Sequence, residues 1–170
     1  MKLKMISSVS IDGAIGNDNQ LLWHLPEDLK QYQVKTHRNI CIVGKNTYDT
    51  LSFDALKNRT YIIISNKRIN APTFASIYLV KNIDDAIKKA EIIKTDNQDV
   101  YVIGGEQIYN SMIDLVDYVE ITWINKLYPN ANKSFPIDKL FNNFEIIDDS
   151  DWIITKPFSY KFTEYKKIKK

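Results

Sequence analysis

The sequence predicts one α/β domain: a mostly parallel eight-stranded sheet with an antiparallel strand at its C-terminal end and helices on both faces. Three observations carry this. Short apolar runs alternate with stretches of helical periodicity over most of the chain, the pattern of strands joined by crossover helices. The runs Ile40-Cys41-Ile42-Val43, Tyr61-Ile62-Ile63-Ile64 and Val100-Tyr101-Val102-Ile103 show no polar alternation, as expected when both faces of a parallel sheet are covered. The last two runs, near 144–147 and 160–168, follow one another with no helical pattern between strands, which suits an antiparallel finish.

Taken in order, residues 3–11 read as a strand closed by the turn residues Asp12-Gly13. Residues 15–25 read as a loop feeding a helix that starts near Pro26, where a missing N–H is tolerated, and fades near Thr36-His37. The second strand, 40–43, ends at Gly44 and leads into a short helix from Lys45 to about Leu51. Strands at 61–64 and 77–80 follow. Ile83, Ala86, Ile87, Ala90 and Ile93 then keep helical spacing, with Asn82 placed to cap it. The fifth strand, 100–103, closes on Gly104-Gly105 before a helix over 106–113. The sixth, 118–124, leads through a long loop carrying Pro129 and Pro136 to the final strands.

Composition bounds the function. A chain of 170 residues with 44% hydrophobic and 26% charged residues suits one soluble domain, 1–170, with a substantial core. No apolar run approaches a bilayer span, and Met1-Lys2-Leu3-Lys4 lacks the apolar segment of a signal peptide, so a cytoplasmic protein is expected. A net charge of +2 gives no reason to expect nucleic acid, and Lys166, Lys167, Lys169 and Lys170 read as a solvated end. The single Cys41, flanked by apolar residues, reads as a buried strand residue, and two histidines with one cysteine do not make a zinc site. A monomer is expected.

The chemistry concentrates at a few strand ends. The five glycines, Gly13, Gly16, Gly44, Gly104 and Gly105, follow the first, second and fifth strands, where open α/β sheets bind ligands; tight βα turns are the alternative on fold logic. Asp28 falls near the apolar face marked by Leu29 and Tyr32, a costly place for a carboxylate unless something binds it, although helix-dipole stabilisation accounts for it too. Trp23, in a loop that must cross the surface, is poorly explained by packing alone. Gly44-Lys45-Asn46-Thr47 puts a glycine, a cation and a hydroxyl at a strand–helix junction suited to phosphate, without the spacing of a Walker loop.

Ile15-Gly16, a short polar stretch, and Leu21-Leu22-Trp23-His24-Leu25-Pro26-Glu27-Asp28-Leu29 resemble the mobile active-site loop and first helix of dihydrofolate reductases. Val43-Gly44-Lys45-Asn46-Thr47 and Ile103-Gly104-Gly105-Glu106-Gln107-Ile108-Tyr109 resemble the two corners by which that family holds NADPH. The resemblance implies a dihydrofolate-reductase-like fold, a cis Gly104–Gly105 peptide, and reduction of dihydrofolate to tetrahydrofolate by hydride transfer to C6, with protonation at N5. Asp28, Trp23, Leu21, Tyr109 and Thr122 are implied at the reacting centre, with Thr122 bracing Asp28. Ile6, Ser8, Leu29, Tyr32, Leu51, Leu56 and Ile103 are implied along the substrate slot, although core packing reads equally well for most of the apolar ones. Arg59 matches the arginine that grips the folate α-carboxylate, a bidentate task suited to guanidinium.

For the cofactor, the resemblance adds Ser8, Ile15, Gly16 and Asn19 from the loop, Ser65-Asn66-Lys67-Arg68 with Lys45 at a 2′-phosphate, and Lys81. Leu21-Leu22, Lys45, Tyr48, Ser52-Phe53-Asp54-Ala55 and Ala131-Asn132-Lys133 depart from the usual family residues, which bears on loop dynamics and affinity more than on the reaction. Two rivals stay open: a pteridine or pyrimidine reductase of the same fold, of the riboflavin-pathway type, and a non-catalytic nucleotide-binding module.

Overall fold

A computed structural model describes residues 1–18 and 20–169, so Asn19 lies outside the described residues. The chain runs β1 (Leu3–Ser10), β2 (Ala14–Gly16), α1 (Pro26–Thr36), β3 (Ile40–Gly44), α2 (Lys45–Tyr48), β4 (Thr60–Ile64), β5 (Ser76–Val80), α3 (Ile83–Ile93), β6 (Val100–Val102), α4 (Glu106–Met112), β7 (Tyr118–Ile124), β8 (Lys133–Ser134), α5 (Ile137–Asn143), β9 (Phe144–Asp149) and β10 (Tyr160–Lys167). One 8-stranded sheet has the order β5-β4-β3-β6-β1-β7-β10-β9. Every pair from β5 to β7 is parallel, while β10 runs antiparallel to both β7 and β9.

Each face of the sheet has its own core, as the unbroken apolar runs require. On one face Met5, Ile42, Ile62 and Val102 are fully buried among Ala86 and Ala90 of α3, Tyr109 and Met112 of α4, and Leu140 of α5. On the other, Cys41, Val43, Tyr61, Ile63 and Tyr101 meet Tyr48 of α2 and Tyr32 of α1. Cys41 is fully buried, and desolvation pushes its thiol up to about 12, so it is packing rather than a nucleophile. Asn82 caps α3, its side chain accepting the Asp85 N–H at 2.8 Å. α1 has Pro26 in its first turn, Glu27 and Asp28 beside it, and Lys35 in its last turn, all in keeping with its dipole.

The structure corrects several expectations. Ile15 and Gly16 do not belong to the loop; they form β2, which pairs with β8 in a small second sheet. Segments of three and two residues are too short for periodicity to reveal. The stretch before β9 is not a bare loop, because α5 follows Pro136; the Pro136-Ile137 start and the i,i+3 pair Ile137/Leu140 were the available signals. α2 stops at Tyr48, and the chain continues in turns, Thr50 N–H to Thr47 O and Leu51 N–H to Tyr48 O, before a 3-10 turn at Asp54–Leu56. Gly13 does hold a left-handed turn, at φ 86°.

Candidate functional site

The site lies at the C-terminal ends of β1, β3, β6 and β7, where β6 inserts between β3 and β1. Pairing of β1 with β6 ends at Met5 and Val102. Beyond it the Tyr109 hydroxyl of α4 donates to the Ile6 carbonyl at 2.8 Å, and its ring packs 5.0 Å from Phe135. Burial raises the Tyr109 pKa well above the ordinary phenol range, so the ring stays neutral.

On the other side of β1, Ser8 pairs with Thr122 of β7, so both hydroxyls stand on the face that α1 covers. Asp28 of α1 faces both of them. Its pKa is raised, first by desolvation, while the Thr122 and Ser8 hydroxyls oppose the shift by favouring the charged form. The Ser8 hydroxyl also accepts the Trp23 indole N–H at 2.9 Å. Trp23, Ser8, Asp28 and Thr122 thus form one polar cluster built from a loop, two strands and a helix.

The sign of the Asp28 shift makes a stability prediction. A carboxyl whose folded pKa is raised costs nothing below its ordinary value of 3.8, and its cost grows as pH rises through the folded pKa. Asp28→Asn is therefore expected to melt at a higher temperature than the parent at pH 7.5, with the gap closing toward pH 3. A lower melting temperature for Asp28→Asn at pH 7.5 would show that folding stabilises the charge instead.

At the other end of α1, Arg59 is buried in a cage of acceptors. Its Nε donates to Thr36 Oγ1 at 2.8 Å, one terminal nitrogen to the Ala55 and Lys57 carbonyls at 3.0 and 3.1 Å, and the other to the Gln33 carbonyl at 3.1 Å. The Tyr32 ring sits 5.7 Å from the guanidinium. Among the described residues, the Tyr32 hydroxyl is the one buried side-chain N or O atom with no partner. Leu51 and Ile6 pack beside it with Leu56 and Ile103, whereas Leu29 and Leu21 are exposed, 48% and 78%.

The two glycine corners meet across β3 and β6. Gly44 N–H donates to Gly104 O at 2.8 Å, and the Gly104–Gly105 peptide is cis. A Cβ on Gly105 would lie 2.8 Å from Thr47 Oγ1, and one on Gly44 would lie 3.1 Å from Ile108 Cγ1. Neither α2 nor α4 has a side-chain cap, in contrast to α3, so the first-turn N–H groups near Lys45, Asn46 and Thr47, and near Glu106, Gln107 and Ile108, are not held by their caps. Further out, Ser65 N–H bonds Val80 O at 2.9 Å, and Gly44, Ile64 and Val80 end three neighbouring strands. Each end is followed by a cation: Lys45, Lys67 beside Asn66, and Lys81.

A sequence model of the dihydrofolate reductase family matches residues 2–167. The chain belongs to the dihydrofolate reductase family. It is 28% identical to a dihydrofolate reductase of Ureaplasma parvum over 85% of this chain and 86% of that one. It is 27% identical to one of Bacillus subtilis, over 97% and 94%, and 31% identical to one of Buchnera aphidicola subsp. Schizaphis graminum, over 74% and 73%. Family membership makes it an oxidoreductase of dihydrofolate that uses a nicotinamide cofactor.

Against the dihydrofolate reductase pattern, three expectations about individual side chains change. Trp23 is only 8% exposed and packs with Leu25, Ile124, Phe158 and Tyr160, with Tyr128 at 5.3 Å, so packing explains it as well as chemistry does. Glu106 turns its carboxylate to Ser134, accepting its N–H at 2.9 Å and its hydroxyl at 3.1 Å, which ties β8 to α4 and leaves only its backbone toward the corner. Arg59 keeps at most part of its fork for a ligand, since four of its N–H bonds go to protein. Sequence reasoning overlooked Asp18 and Asn132, which exchange bonds of 2.6 and 3.0 Å and tie the loop after β2 to the segment where the usual family residues are missing. Asn132 stood in the unusual Ala131-Asn132-Lys133 segment, but nothing in the sequence pointed it at Asp18.

Proposed function

We propose that the chain reduces 7,8-dihydrofolate to 5,6,7,8-tetrahydrofolate with NADPH, and that Asp28 is the carboxylate that holds the pterin. The observation that carries this is the placement of Asp28: a half-buried carboxylate whose side-chain partners among the described residues are the hydroxyls of Thr122 and Ser8, so it remains available to a cationic or N–H-bearing ring. Thr122 and Ser8 keep it oriented, and Trp23 orients Ser8. Ile6, Leu29, Tyr32, Leu51, Leu56 and Ile103 form the apolar walls, and Arg59 offers the outer edge of its guanidinium to the carboxylate tail. Purified protein mixed with dihydrofolate and NADPH is expected to deplete the cofactor's near-ultraviolet absorbance in step with dihydrofolate. No loss of absorbance would overturn the assignment and favour a nucleotide-binding module.

The corners fit a dinucleotide. Gly44 and Gly105 let the two corners pack closely, since a Cβ at either would meet Ile108 or Thr47, and the uncapped helix ends beside them leave backbone N–H groups for a pyrophosphate. When bound, the cofactor supplies the hydride; the protein supplies orientation and a water-poor slot. Gly44, Asn46, Thr47, Gly104, Gly105, Gln107 and Ile108 would hold the phosphates, Ser8, Ile15 and Gly16 the nicotinamide end, and Ser65, Asn66, Lys67 and Lys81 the adenosine end. Tyr109, locked to Ile6, sets the floor beneath Gly104. Leu21 belongs to the loop over the site; Asn19 lies outside the described residues. The reading also has residues 1–170 as one domain acting as a cytoplasmic monomer.

Lys45 tests the preference for NADPH over NADH. It pairs with Asp49 in the protein alone and can turn to a 2′-phosphate at the neighbouring strand end. A hydrogen bond to a charged group contributes about 1.5–3 kcal/mol. Lys45→Ala is therefore expected to weaken NADPH about 10- to 100-fold, with much less effect on NADH, as read by fluorescence titration. Equal losses for both would remove Lys45 from the 2′-phosphate site.

A further inference from the structure

α1 carries Asp28, yet apart from the Tyr32 ring little apolar contact holds this helix to the sheet. Thr36 is its one buried residue, Leu29 and Val34 are exposed, and its N-cap Leu25 makes no side-chain bond. Polar contacts hold it instead. At the N-terminal end Asp28 meets Thr122, and at the C-terminal end Thr36 Oγ1 accepts from Arg59. Between them lies an ion pair that the reading of the site leaves unused: Lys35 Nζ donates to the Glu120 carboxylate of β7.

The spacing makes this pair a partner of the first contact. Asp28 and Lys35 are separated by two helical turns, about 10 Å, on one face of α1. Thr122 and Glu120 are two residues apart, about 7 Å, on one face of β7. Read along α1 from Asp28 to Lys35, the partners run backwards along β7 from Thr122 to Glu120, as they must when a crossover helix lies antiparallel to its sheet. The long lysine side chain takes up the difference in rise.

Glu120 has strong reasons to keep this partner. Its side chain is 8% exposed, its neighbour across β10 is Glu164, and on β1 it lies beside Ile6. Lys4, another cation on this face, is engaged by Asp99 at 2.8 Å. A buried carboxylate opposite another glutamate pulls on the one helix lysine that reaches it, and so sets where α1 sits along β7.

We propose that Lys35 and Glu120 are positioning residues for Asp28: their ion pair fixes the axial placement of α1 and thereby the depth of the pterin-binding carboxylate against Thr122. This rests on the assignment of Asp28 to the pterin. A shift of about 1 Å in such a group costs as much as 10²-fold. Lys35→Met is therefore expected to raise the KM for dihydrofolate about tenfold or more, with the KM for NADPH unchanged and Lys35→Arg restoring the parent value.

Two further variants decide the matter. In the Asp28→Asn background, Lys35→Met should have no further effect on dihydrofolate, because the group it positions is gone. In the Lys35→Met/Glu120→Leu pair, which removes both charges, the melting temperature should recover while the KM stays raised. A KM that returns with the melting temperature, or a Lys35→Met effect equally large with and without Asp28, overturns the proposal. If Asp28→Asn is itself inert, the assignment of the pterin carboxylate fails first, and that outcome is separate from either of these.

Discussion

Asp28→Asn is expected to turn over dihydrofolate roughly 10² to 10⁴ times more slowly than the parent near neutral pH, the range associated with a positioned acid–base group. The substitution keeps the shape of the side chain and removes its charge. A charged Asp28 between Thr122 and Ser8 can accept from the pterin amino group and ring N–H, and it favours the protonated, more electrophilic ring. Asparagine can accept one of those bonds but cannot offset the positive charge. NADPH affinity should barely change, because the cofactor corners at the ends of β3 and β6 are not among the side-chain partners of Asp28. Since solvent protonates more of the pterin as pH falls, the variant should recover part of its activity toward acid at saturating substrate. Parental turnover by Asp28→Asn at neutral pH would reduce this carboxylate to an acidic residue in the first turn of a helix, a role its position in α1 also permits.

The second large effect is expected at Gly104. Its φ of +111° is one that L side chains rarely adopt, and an added Cβ would lie 3.0 Å from two ring carbons of Tyr109 and 3.1 Å from its hydroxyl. That ring cannot give way cheaply, since it is buried, donates to Ile6 O and packs on Phe135. An unfavourable backbone region costs about 1–3 kcal/mol and overpacking about as much again. Gly104→Ala should therefore lose a large share of a stability that is ordinarily only about 5–15 kcal/mol, and melt roughly 5–20 °C lower. Gly44→Ala is the control: its φ is ordinary, at −78°, and its one tight Cβ contact would be with the aliphatic Ile108 at 3.1 Å, so its melting temperature should fall much less. If both variants melt alike, the Tyr109 contact is not what demands glycine. Where Gly104→Ala does fold, its NADPH affinity should fall as well, because the displaced Tyr109 carries the floor of the corner.

How far the residues alone could reach follows from which interactions are local. All eight strands of the main sheet, its parallel body and the helices α1, α3 and α4 follow from unbroken apolar runs, 3.6-residue spacing and local stop signals such as Asn82, Gly44 and Pro26, because burial on both faces and capping are written within each segment. The strands β2 and β8 were invisible for the opposite reason. Their few residues are extended because each pairs with the other across more than a hundred positions, and no local preference marks them. Trp23 and Glu106 show the same limit for side chains: their residue types suggested chemistry, but whether an indole is packed against Tyr128 or a carboxylate is turned to Ser134 depends on neighbours remote in sequence.

The chain by itself thus determined the eight strands of the main sheet, the helices α1, α3 and α4, the glycine corners and the acid at the start of α1, since these rest on local conformation and on residue types that pair with particular chemistry. Only the tertiary structure decided that Asp28 faces two hydroxyls rather than a cation, that Arg59 is held by four protein bonds, and that Lys35 reaches Glu120. The physical reason is that a charge's partner, and the water it loses, are set by what another strand or helix brings within a few ångströms, and no spacing along one segment carries that information.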